Sequence, residues 1–171
     1  MQQRSLVDRL QLIGLAWLAM IAFDFLLHAG LLASWYVEPS PFLLPPALAF
    51  ARIPVGYLSF LLLAVLLVWT LEHTGSQGWR RGSWVGLWIG ALVWGSLALG
   101  LYSISTAPVP LLVGWLLGQS VELGLAGGVA GAALAGKRRG VLLLATLGLL
   151  AVCFVVTVVL QGLGLAPALR S

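Results

Sequence analysis

Apolar residues fall along this chain in five blocks, 10–33, 53–71, 83–104, 111–135 and 141–160, with the polar and basic residues gathered in short segments between them. Each block is close to the roughly 20 residues that a helix needs to cross about 30 Å of hydrocarbon. The pattern predicts an all-α fold, an integral membrane helical bundle of five transmembrane helices. No connector is long enough to fold alone, so the 171 residues form a single domain. Each helix then satisfies its own backbone N–H and C=O groups. The first block follows a basic segment, as the core of a secretory signal would. It is longer than the usual 7–15 or so apolar residues of such a core and carries Asp24 and His28, so it reads as a retained span.

The connectors differ in character. Residues 34–46 include Pro39, Pro41, Pro45 and Pro46 beside Trp35, Tyr36 and Phe42, too proline-rich for a helix and too apolar to float in water, which places them along the membrane surface. Pro45 and Pro46 are suited to opening a helix at Ala47, which leaves the start of the second span open and brings Arg52 near the membrane edge. Residues 72–82 and 136–140 are polar or basic turns bounded by glycine.

Composition supports the same solvent. With 61% hydrophobic and 8% charged residues, the chain falls far below the quarter or so of charged residues that a soluble globule carries. The net charge of +4 does not imply nucleic acid, because the basic residues sit at block ends rather than in a stripe. They predict orientation instead. A cytoplasmic N-terminus places Arg4, Arg9, Arg80, Arg81, Lys137, Arg138 and Arg139 inside, leaving only Arg52 and Arg170 outside with the C-terminus. Trp35, Tyr36, Trp79 and Tyr102 fall near span ends, where amphipathic rings anchor at the headgroups. The expected partner is therefore the bilayer of a cell membrane, with a homo-oligomer or another membrane protein as further candidates. The lone Cys153 cannot form a disulfide within the chain and reads as a packing residue.

Glycines recur at helical spacing. Gly82, Gly86 and Gly90 open the third span, and Gly114 with Gly118, Gly124 with Gly128, and Gly127 with Gly131 stripe the fourth. Such stripes let helix backbones approach closely in lipid, so spans three and four are expected at the centre of the bundle.

Candidate chemistry rests on a few ionisable groups. Asp24 and His28 are four residues apart and share one face of the first span. Glu122 follows Gly118 by four residues on the fourth span, with Gln119 one turn before it. At about 1.5 Å per residue, Asp24 and Glu122 both lie roughly 14–17 Å from the outer edge. An unpaired carboxylate at that depth costs roughly 2.5–3.5 kcal/mol, so the acids are expected to face partners or water. The expected cluster is Asp24, His28, Arg52 and Glu122, with Tyr57 and Gln119 beside them.

Two classes of function follow. The cluster can pin helices, making the chain a structural or accessory membrane component, or it can handle protons or a small solute through an outward-facing cavity. Direct ion pairing favours the first, and an enclosed polar pocket the second. A metal site of Asp24, His28 and Glu122 is a sharper alternative, but with only two histidines in the chain no metal is assigned. No cofactor motif is present, and Ser34, Ser59, Ser96 and Ser120 lie in no nucleophile motif, which leaves a membrane enzyme as the poorest reading.

An acidic residue midway along the first span, the pair Trp35-Tyr36 after it, the Gly82-x-x-x-Gly86 opening of the third span and a glycine-rich fourth span together resemble small bacterial polytopic inner-membrane proteins of unknown function. The likeness covers spans one to four. It implies a bacterial inner-membrane setting and carries over no catalytic residue.

Overall fold

The computed structural model describes residues 5–167, and they are almost entirely helical. In chain order the elements are α1 (Leu6–Leu26), continued by a π-helical turn over Leu27–Leu31, α2 (Ala33–Val37), α3 (Pro46–Ala51), α4 (Ile53–His73), α5 (Trp79–Ile104), α6 (Val109–Leu134) and α7 (Arg139–Gly162). Five of these are long and apolar enough to cross a membrane: α1 with its π turn, α4, α5, α6 and α7. They coincide with the five apolar blocks and extend most of them by a few residues. Arg4 and Arg170, two of the charges used to orient the chain, lie outside the described residues.

Local chemistry sets the helix ends. The Ser5 hydroxyl accepts from the Asp8 backbone N–H at 3.1 Å and caps α1. Proline stands in the first two positions of α3, α4 and α6, where its missing N–H leaves no intrahelical bond unmade. Pro46 does open a helix, as expected. That helix ends after one and a half turns at Arg52, however, and α4 starts afresh at Ile53 instead of running on from Ala47. Gly78 takes φ +88° at the start of α5, a conformation costly for any residue with a Cβ.

Of the two spans the glycines suggested for the centre of the bundle, the fourth is there and the third is not. α6 touches α1, α4, α5 and α7, whereas α5 packs almost wholly on α6 and lightly on α4. In the most apolar stretches of α1 and α6, 44% of residues are buried within the protein, against 11% in α5. α1 and α6 are therefore central and α5 is peripheral, with Trp84, Trp88, Leu92 and Leu99 on its exposed face. α4 lies across α1 and α6, and α7 leans on α1. The main core joins Leu12, Leu15 and Met20 of α1 to Phe60, Leu67 and Leu71 of α4 and Leu123 of α6.

The glycine stripes explain how α5 is held. A Cβ at Gly86 would sit 2.0 Å from the Leu123 carbonyl oxygen, one at Gly82 2.0 Å from that of Gly127, and one at Gly90 2.6 Å from Ser120 Cα. From α6, Gly124 and Gly128 receive Leu87 and Ser83 of α5. The Gly78 N–H also donates to the Gly131 carbonyl at 2.8 Å. Gly114 and Gly118 serve another neighbour: a Cβ there would meet the side chains of Leu32 and Leu27 in the first span. The fourth span thus presents small residues to two partners, which is why it is the hub.

One end of the bundle is tied by charge. Arg9 of α1 pairs with Glu72 of α4 at 3.0 Å, and Asp8 pairs with Arg139 of α7 at 2.5 Å, with Gln11 also accepting from Arg139. Arg80, Arg81, Lys137 and Arg138 gather at this same end. Arg52 stands at the other, beside the proline-rich connector.

Candidate functional site

The site begins with an irregularity in the first span. At Leu27 the helix widens by one residue, and the Leu32 N–H reaches back five positions to the Leu27 carbonyl at 2.8 Å. Single π turns are rare and are frequently found at functional sites. The Ala29 carbonyl inside the turn accepts from the Gln161 side-chain amide of α7 at 3.0 Å. His28 lies in this turn, two residues beyond the end of the regular helix that carries Asp24.

Around His28 the polar contacts form a line. The Trp115 indole N–H of α6 donates to the Tyr36 hydroxyl oxygen at 2.6 Å, and the same oxygen lies 2.6 Å from His28 Nδ1. His28 Nε2 lies 3.1 Å from Asp24 Oδ1 and 3.2 Å from Gln119 Nε2. An indole nitrogen can only donate, so the Tyr36 oxygen accepts from Trp115, while the direction of its bond with Nδ1 follows the His28 tautomer. With Nδ1 as the acceptor, the ring proton would sit on Nε2, between Asp24 and Gln119. A half-turn of the Gln119 amide would then set Oε1, buried without a partner, on that proton. The Asp24 contact is close but poorly directed, and Oδ1 has no well-aligned hydrogen bond.

Beyond Asp24 lies Glu122. It is wholly buried, both of its carboxyl oxygens lack a hydrogen-bond partner, and it lies within electrostatic reach of Asp24. Side-chain exposure falls from 32% at His28 to 10% at Asp24, so the line runs inward as far as Asp24; no hydrogen bond carries it on to Glu122. Burial pushes the Tyr36 phenol above its ordinary range, against the opposing Trp115 bond, so Tyr36 holds its proton at the mouth of the line.

Of the residues expected here, Asp24, His28, Gln119 and Glu122 come together. Tyr57 lies alongside, half-buried against Phe60, its carbonyl accepting from the Trp17 indole at 2.8 Å; no hydrogen bond joins its hydroxyl to either acid. Arg52 is not brought into the cluster. It is exposed at the α3–α4 break and makes no ion pair among the described residues. Among the described residues no group of three His, Cys, Asp or Glu side chains is placed to hold a metal, so Asp24, His28 and Glu122 do not form that set. Ser59 and Ser120 spend their hydroxyls on carbonyls one turn back. Tyr36 and Trp115 were missed as site residues. Tyr36, expected to anchor at the headgroups, turns its hydroxyl inward, and only its proximity to His28 across the end of the span hinted at this.

No protein-family model, curated protein or solved structure matches this chain. The class therefore rests on the fold. Five helices of membrane-spanning length and apolarity place the chain among multi-pass membrane proteins.

Proposed function

We propose that this is a proton-handling protein of the bacterial inner membrane, in which Tyr36, His28 and Asp24 pass protons between the Arg52 side and the buried acid Glu122. The observation that carries this reading is Glu122 itself, wholly buried with neither oxygen partnered. A residue kept only to pin helices would be expected to meet a donor, since an unmatched carboxylate destabilises the fold it sits in. A proton removes that charge without requiring space. The line of hydrogen-bonding groups supplies a route, because the imidazole and carboxyl groups take up and release protons and a neutral hydroxyl can relay one by giving up its own as it accepts another. The direct His28–Asp24 contact is what the structural reading expects, so the proton reading rests on the unpartnered acid at Glu122. The basic end, with six of the nine Lys and Arg residues, is read as cytoplasmic, which places the mouth of the line outside.

A second reading has its own support. His28 meets Asp24 directly, as a structural pin between the π turn and α1 would, and the chain would then be an accessory component of the membrane. The test is proton movement in vesicles. Wild-type proteoliposomes loaded with a pH-sensitive dye should dissipate an imposed pH gradient faster than protein-free vesicles, and Glu122→Gln should abolish the difference. Wild-type vesicles no faster than empty ones would leave the structural reading in possession.

A further inference from the structure

The basic end carries a charge imbalance with a defined place in the fold. Of the five acidic residues, Asp24 and Glu122 are in the core, Glu38 lies in the connector at the opposite end, and Asp8 and Glu72 are taken by Arg139 and Arg9. Arg80, Arg81, Lys137 and Arg138 are left with no acid among the described residues. At Arg80 this charge meets a shape. A shallow groove of about 270 Å³ opens at the start of α5, lined by Trp79, Arg80, Ser83, Trp84 and Leu87. The Arg80 guanidinium lies 5.3 Å from the centre of the Trp79 ring, which holds the cation at the groove instead of leaving it to wander in solvent.

We propose that this groove binds the headgroup of an anionic phospholipid, with the lipid phosphate on Arg80 and the Ser83 hydroxyl beside it. The groove is smaller than the roughly 300–1,000 Å³ of sites that enclose drug-sized solutes, and it is open along one side. That suits a headgroup whose chains stay outside. The wall continues from Trp84 and Leu87 into the exposed apolar face of Trp88 and Leu92, a path for an acyl chain along a spanning helix. Trp79 and Trp84, both more than 60% exposed, are rings of the type that settle at the headgroup level. A free phosphate ion would use Arg80 but none of this apolar wall.

The test is lipid retention by the full chain in neutral detergent, read by native mass spectrometry with phosphatidylglycerol and phosphatidylcholine supplied in equal amounts. Phosphatidylglycerol should be retained in preference. Arg80→Gln should lower that retention about fivefold, the equivalent of about 1 kcal/mol for one basic residue at an anionic surface. The Lys137→Gln, Arg138→Gln double variant should leave it unchanged, because those cations are outside the groove. Equal retention of the two lipids by the wild type would overturn the proposal without recourse to any variant. So would an equal loss in the Lys137/Arg138 variant, which would mean diffuse attraction, or displacement of the lipid by inorganic phosphate, which would make the ligand a simple ion. None of these results depends on Glu122, so the groove and the proton line stand or fall separately.

Discussion

Replacing Gly86 with alanine adds one methyl group where the structure has no room for it. Its carbon would lie 2.0 Å from the Leu123 carbonyl oxygen and 2.7 Å from the carbonyl carbon, against the roughly 3.4 Å of ordinary contact. The obstacle is backbone, so no side chain can turn away, and α5 must move off α6 by more than about 1 Å. Overpacking of this sort costs typically 1–3 kcal/mol, and a rigid obstacle puts the cost near the upper figure. Alanine returns about 1 kcal/mol through helix propensity, leaving a loss near 2 kcal/mol. For a chain of this size that lowers the melting temperature by about 4–8 °C. Gly148→Ala is the matched control: nothing lies within 4 Å of its new Cβ, so only the propensity gain remains and melting should rise by about 2–4 °C. Thermal unfolding of the purified protein in one detergent reads both. If Gly86→Ala melts with Gly148→Ala, the α5 and α6 backbones do not touch and the account of how α5 is held is wrong.

Tyr36→Phe should strand the Trp115 N–H and one nitrogen of His28, costing about 1–3 kcal/mol for the buried donor, and a melting temperature equal to wild type would remove Tyr36 from the line. The Asp24→Asn and Glu122→Gln changes should couple by more than about 0.5 kcal/mol in a double-mutant cycle of unfolding free energy, with strict additivity meaning that the two acids do not share a site. Asp8→Asn breaks a pair that is more than a third exposed on both sides, so its effect on stability should be small and shrink in high salt. A larger, salt-insensitive loss would show the pair to be more deeply buried than this. Reporter fusions in the connectors at Gln77 and Lys137 should report one side of the membrane and those at Ser40 and Thr106 the other; any mixed result breaks the five-span order.

Residue sequence alone determined the solvent, the number of spans and the two ends of the bundle. It did so because crossing hydrocarbon requires a helix of fixed length with few charges, and that requirement is met or failed locally. The i, i+4 placement of Asp24 and His28 and the stripe of Gly82, Gly86 and Gly90 were legible for the same reason, since one helix decides which of its residues share a face. Which neighbour that face meets is not a local property. The glycines of α5 put it against α6 but did not make it central, because a helix can be held tightly on one side and bare on all the others. Gly114 and Gly118 looked like more of the same stripe, yet they receive Leu32 and Leu27 of the first span. The π turn at Leu27–Leu31, the inward turn of Tyr36 and its bond to Trp115, 79 residues away, all arise from packing between helices. So does the exclusion of Arg52, which stands exposed at the break between α3 and α4. Depth in the membrane can be counted along one helix, which is why Asp24 and Glu122 are expected in one layer from the sequence. What stands beside each of them depended on rotation and contact among five helices, and only the tertiary structure decides those.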